Sequence, residues 1–134
     1  MQVTENSVII FKCDYLEVRH NAEHTTVEYK WIGFVNDEKS RAGMTKITEA
    51  IVKYKTPYLL ADLWEFKGGT PETAKYVQEV WIEDIKKAGV KKIALNVPES
   101  VFGEISSQKA LGDKGSKYFQ MEKFTTYEQV YNWL

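Results

Sequence analysis

His20 and His24 bracket Asn21, Ala22 and Glu23, an i, i+4 spacing that on a helix lets two imidazoles share a metal ion. Here the intervening residues read as a turn between strands, the glutamate is misplaced for a zinc-protease motif, and no third ligand stands out. No metal site is expected. Cys13 is the only cysteine, which excludes an internal disulfide and fits a reducing compartment. It lies in a strand pattern between Lys12 and Asp14, with no base to activate it, so a small buried thiol is expected. Ser100, Ser106 and Ser107 sit in no nucleophile-elbow sequence. Glu65, Glu72, Glu79, Glu83 and Asp84 are spaced as a solvated face, not as a general acid and base. Gly68-Gly69-Thr70-Pro71 precedes a helix start, where backbone N–H groups favour an anion, but there is no Walker lysine or dinucleotide fingerprint. These residues argue against an enzyme and call for no cofactor.

The residues suited to binding lie elsewhere. Asp62 and Asn96 stand near the ends of the two most apolar strands, where a polar group bonds a loop amide or faces a ligand. Trp64 and Phe66 follow the first of these strands and can roof an apolar pocket, form a partner surface or pack beneath their own loop. Residues 62–70 and 96–103 should share the carboxyl edge of the sheet, joined by the Gly33-Phe34 turn if its strand runs parallel to theirs.

The elements that must position them are legible as changes of period. Val8 to Asp14, Tyr15 to His20 and Thr25 to Ile32 alternate as strands, with Asn21-Ala22-Glu23-His24 as the turn, which predicts an antiparallel start. Asn36 or Asp37 then caps a helix whose Met44, Ile47, Ile51 and Tyr54 share one face, and Pro57 stops it. Gly43 should weaken its first turns by up to about 1 kcal/mol. Tyr58 to Leu63 reads as a strand covered on both faces. Thr70 at the N-cap and Pro71 open a helix to about Lys87, with Ala74, Val77, Trp81, Ile85 and Ala88 inward and Gly89 closing it. Lys91 to Val97 is a second buried strand, followed by a short helical segment with Val101, Phe102 and Ile105 and a loop over Lys109 to Ser116. A strand from Lys117 to about Met121 and a capping box at Thr125-Thr126-Tyr127-Glu128 lead into a last helix with Tyr127, Val130, Tyr131 and Leu134 on one face. The order β-β-β-α-β-α-β-α-β-α predicts an α/β fold, a mixed sheet with packed helices.

Composition sets the outer bounds. With 134 residues, 43% of them hydrophobic, the chain is expected to form one domain over 1–134 with a sizeable core. Eighteen Lys plus Arg against 19 Asp plus Glu leave a net charge of −1, which supplies no field for nucleic acid. The lysines at 53, 55, 86, 87, 91 and 92 follow helices, where cations suit the dipole. No stretch of 18 apolar residues occurs and the first residues lack a secretory pattern, so a cytoplasmic protein without membrane insertion is expected.

The β-rich start ending in Trp31-Ile32-Gly33-Phe34, the helix after it, Leu60-Ala61-Asp62-Leu63, the helix opening near Thr70, Lys92-Ile93-Ala94-Leu95 and the closing amphipathic helix resemble the STAS domain. This is the fold of bacterial anti-sigma-factor antagonists of the SpoIIAA type. The resemblance runs from about Val8 to Leu134 and is nearest to small stand-alone bacterial members. It implies a non-enzymatic regulatory module that binds a protein partner through the loop and helix after Leu63. Trp64, Phe66, Thr70 and Tyr76 are the contacts it suggests, beside Asp62 and Asn96. In that family a serine in an Asp-Ser-x-Gly-type segment at the helix start is phosphorylated by a partner kinase. Here the segment is Lys67-Gly68-Gly69-Thr70-Pro71-Glu72, and Thr70 is the nearest hydroxyl. The alternative implied by relatives of this fold is a carrier or sensor of a small apolar ligand, a lipid or a nucleotide, at the same strand ends. An open pocket lined by Trp64, Phe66 and Phe102 would favour that alternative, and a filled one would oppose it. The chain is expected to be a monomer or a homodimer.

Overall fold

Alternating residues in the first third build strands β1 (Ser7–Lys12), β2 (Leu16–Asn21) and β3 (Thr26–Trp31), paired antiparallel in the computed structural model, which describes residues 7–101, 103 and 114–134. A two-residue strand, β4 (Gly33–Phe34), precedes helix α1 (Asp37–Tyr54). Asn36 is the N-cap, its Oδ1 accepting from the Lys39 N–H at 2.9 Å, and Lys55 closes the helix in the left-handed region at φ 53°. Next come β5 (Tyr58–Asp62), β6 (Phe66–Gly68), α2 (Pro71–Tyr76), a π-type turn over Val77–Trp81 and α3 (Ile82–Lys87). The chain ends with β7 (Lys92–Asn96), a 3₁₀ turn at Glu99–Val101, a helical α4 at residues 114–118, β8 (Gln120–Phe124) and α5 (Tyr127–Trp133).

The main sheet has the order β1-β2-β3-β5-β7-β8, antiparallel as far as β3 and parallel from β3 to β8. This is the mixed α/β sheet expected. Because successive side chains alternate between faces, Leu59, Ala61, Ile93 and Leu95 join one core with Met44, Ile47, Ile51, Trp81, Ile82 and Ile85. Leu60 and Ala94 turn the other way and meet Tyr127 and Val130. Helices α1 and α3 therefore cover one face, and α5 covers the opposite one.

Several details depart from expectation. Gly43 does not loosen α1: it is buried, and a Cβ there would lie 2.6 Å from Trp31 Cη2 and 2.9 Å from Leu16 Cδ2. The glycine is the gap that lets the helix close on the sheet. The helix expected from Pro71 to Lys87 is divided by the π-type turn, whose extra residue rotates the inward stripe. Ala74 is consequently exposed, while Ile82 is buried beside Trp81. Lys117 is helical, as are residues 114–116 of the expected loop, and the last strand begins at Gln120. Its late start is tied to α4, where the Tyr118 hydroxyl donates to Glu83 at 2.7 Å. Phe102, Ile105 and residues 109–113 lie outside the described residues. The last capping box is shifted by one: Thr126 accepts from the Gln129 N–H at 3.2 Å, and Gln129 Oε1 accepts from the Thr125 N–H at 3.1 Å.

Candidate functional site

Because β3 runs parallel to β5, the Gly33-Phe34 turn comes to the same edge as the segment after Asp62. There β4 and β6 pair in a separate parallel two-stranded sheet. The Gly33 N–H donates to Glu65 O at 2.7 Å and the Val35 N–H to Gly68 O at 3.0 Å. Gly33 (φ 75°) and Gly68 (φ 136°) supply the positive dihedrals this pairing needs. Lys30 Nζ lies 2.9 Å from Glu65 Oε2 and ties the loop to β3. Three aromatic side chains stand out at this end: Phe34 is 65% exposed, Trp64 45% and Phe66 37%. Phe34 was not among the expected contacts. The signal for it was present in the Gly33-Phe34 turn, but only the parallel pairing sets it opposite Gly68, on the short sheet that also carries Phe66.

Below Phe66 the sheet and the helices leave a cavity of about 190 Å³. Tyr29, Trp31, Met44, Leu63, Val77 and Trp81 form most of its apolar wall, with Phe66, Gly69 and Thr73 on the loop side. Trp64 is not on this wall. A second depression of about 450 Å³ runs between α1 and the α2–α3 segment, lined by Tyr76, Val52, Thr48 and Trp81. Tyr76 thus belongs to a different surface from Phe66, with the Arg41 guanidinium 4.3 Å from its ring centroid. Trp81 borders both spaces and is held by a 2.9 Å hydrogen bond from its Nε1 to Thr48 Oγ1.

Thr70 caps α2, its hydroxyl oxygen accepting from the Thr73 N–H at 3.3 Å. Thr73 Oγ1 lies 3.1 Å from Thr70 Oγ1 and donates to Asp37 Oδ1 at 2.9 Å, and Asp37 pairs with Arg41 at 3.0 Å. This chain of contacts joins the start of α2 to the first turn of α1.

Asp62 and Asn96 are paired across β5 and β7 and buried on the α5 side of the sheet. Asp62 Oδ1 accepts from the Trp64 N–H at 3.0 Å, and Oδ2 accepts from the Tyr127 hydroxyl at 2.7 Å. Burial raises the Asp62 carboxyl above its ordinary value, against the pull of these two donors and of Lys30. Tyr127 is raised too, by burial first and then by the Asp62 charge. The Asn96 carbonyl accepts from the Leu63 N–H at 2.8 Å, while its side-chain Oδ1 has no partner among the described residues. Nearby, Glu28 accepts from Ser7, Asn21 and the Tyr131 hydroxyl. These carboxylates are thus engaged as hydrogen-bond acceptors that seat α5.

His20 and His24 are drawn to different helices, His20 stacked on Tyr54 at 3.9 Å and His24 on Tyr131 at 4.1 Å. Among the described residues no three His, Cys, Asp or Glu side chains are grouped to hold a metal ion. No helix among them is long and apolar enough to cross a membrane.

No protein-family model matches the chain, and no curated protein matches it in sequence. Solved structures do. An uncharacterised protein of the DUF3478 family with a SpoIIAA-like fold, from Shewanella loihica PV-4, superimposes with a TM-score of 0.60 at 13% identity, covering 100% of this chain and 99% of that one. The unphosphorylated form of the anti-sigma factor antagonist SpoIIAA gives a TM-score of 0.50 at 14% identity, covering 94% of each chain. At such identities the likeness is one of fold.

Proposed function

We propose, from the SpoIIAA-like, STAS-type fold of this chain, that it is a non-enzymatic cytoplasmic regulatory module acting as one domain over residues 1–134. It works by binding a protein partner through the loop and helix after Leu63. The observation that carries this reading is the exposed aromatic group made by Phe34 and Phe66 on the β4–β6 sheet and Trp64 in the turn leading into it. Large aromatics held on paired backbone supply contact area at little entropic cost, and such residues dominate the binding energy of protein interfaces. Asp62 is assigned a positioning role, holding the Trp64 turn from below, and Asn96 holds Leu63 through its backbone carbonyl. Tyr76, beside Arg41 on the separate depression between α1 and α2–α3, is a second contact of this reading, apart from the aromatic group. A phosphate on Thr70 would displace the α2 cap and set negative charge against Asp37, which makes Thr70 the natural place for a covalent switch.

The test is capture from the protein's own cells after replacing Trp64 with a photo-crosslinking residue, with intact-mass measurement for phosphate at Thr70. One recurrent protein adduct is expected, and Phe34→Ala should abolish it while the melting temperature stays nearly unchanged. Loss of stability without any adduct would assign these aromatics to packing. A second reading, a carrier or sensor of a small ligand, is favoured by the cavity under Phe66.

A further inference from the structure

We propose that the cavity under Phe66 binds a neutral, single-ring molecule bearing one hydrogen-bond-accepting oxygen, which the Tyr29 hydroxyl holds; this rests on the ligand-binding reading above and gives it a chemical class. Tyr29 comes from the middle of β3, is only 6% exposed, and meets the Trp81 ring edge-on at 6.2 Å. Its hydroxyl forms no hydrogen bond among the described residues. Buried tyrosine hydroxyls ordinarily find a partner. Tyr127, the other buried tyrosine, does so by donating to Asp62 at 2.7 Å. Of the two, Tyr29 alone lacks such a bond among the described residues, and it stands on a cavity wall.

The remaining wall decides the rest of the ligand. Ser40, a buried residue, brings a second hydroxyl to the lining, also without a side-chain hydrogen bond among the described residues, whereas Thr73 Oγ1 is committed to Asp37 and Thr70. Among the described residues no Lys, Arg, His, Asp or Glu lines the cavity, so they would strip a charged ligand of its water without giving it an ion partner. Burial raises the Tyr29 phenol, which keeps it protonated and a donor. A volume of about 190 Å³ suits one ring with a small substituent, since a dry cavity of roughly 150 Å³ takes benzene. Trp31, Phe66 and Trp81 offer ring faces and edges to it, and half-exposed Phe66 marks the solvent side.

The experiment titrates the whole protein with acetophenone, ethylbenzene and benzoate, read by calorimetry and by amide NMR shifts of residues around Tyr29. Acetophenone should bind about fivefold to tenfold more tightly than ethylbenzene, the ratio that one neutral hydrogen bond supports. Benzoate should not bind. Tyr29→Phe should erase the preference while leaving ethylbenzene affinity nearly unchanged; if that variant does not fold, the acetophenone-to-ethylbenzene ratio and the amide shifts around Tyr29 in the unaltered protein decide the matter. Equal affinity for acetophenone and ethylbenzene would overturn the assigned class but leave a ligand cavity standing. Binding of neither compound would overturn both the class and the ligand reading beneath it.

Discussion

Asp62 shows how a residue at a strand end can be fully buried and still govern a surface loop. Its two oxygens accept from the Trp64 N–H and the Tyr127 hydroxyl, but burial outweighs these donors and raises the carboxyl above its ordinary value of 3.8. A raised carboxyl binds its proton more readily in the native state than in the unfolded chain. Its contribution to stability is therefore present below the unfolded value and lost as the pH rises through the higher native one. Asp62→Asn should flatten that part of the pH–stability profile, measured by urea unfolding between pH 3 and 8. An unchanged slope would mean that Asp62 is ionised at no net cost. The half-buried Glu83 carboxyl shifts the other way, lowered first by the Tyr118 hydroxyl, so its contribution is lost as the pH falls.

At the scale of the element, α1 sets a local preference against a packing constraint at one position. Helix propensity alone makes Gly43→Ala favourable by up to about 1 kcal/mol. The added Cβ would meet the Trp31 ring at 2.6 Å and Leu16 at 2.9 Å, and Trp31 also stacks on Tyr15 and walls the cavity. Overpacking of this kind costs about 1–3 kcal/mol, so net destabilisation by about 1 kcal/mol is expected in thermal unfolding. A stabilised variant would show that Trp31 yields freely. The π-type turn poses the same conflict in α2–α3. Its extra residue brings both Trp81 and Ile82 into the core, where a regular helix would have turned Ala74 inward.

Across the whole molecule, the two faces of the sheet meet at Asp62. The α1–α3 side holds the cavity and the aromatic loop, and the α5 side holds Tyr127 and Tyr131 against Asp62 and Glu28. Tyr127→Phe removes a donor from the carboxylate that also holds Trp64, whereas Tyr131→Phe loosens α5 through Glu28 and Asn21, away from the Trp64 turn. Each should cost about 1–3 kcal/mol through an under-bonded buried carboxylate. Only Tyr127→Phe should quicken hydrogen exchange at the Trp64 amide beyond the change in global stability. Equal quickening in both would place the effect in α5 docking as a whole.

What the sequence by itself determined is the set of features written in short-range spacing. The antiparallel start, the buried runs at Leu59-Leu60 and Ile93-Ala94, the caps at Asn36 and Thr70, and the Gly89 stop at φ 102° all arise from neighbours within one or two turns. The family resemblance rested on the same series of elements, and the SpoIIAA-like fold agrees with it. The tertiary structure alone decided the rest. Strands of two and three residues carry no readable period, so β4 and β6 exist only because Gly33 finds the Glu65 carbonyl. Tyr29 reads as one more core residue in an alternating strand, and only the packing of α1, α2 and the Phe66 loop around it makes it part of a cavity wall. Such features depend on contacts between residues far apart in the chain, which local propensity does not encode.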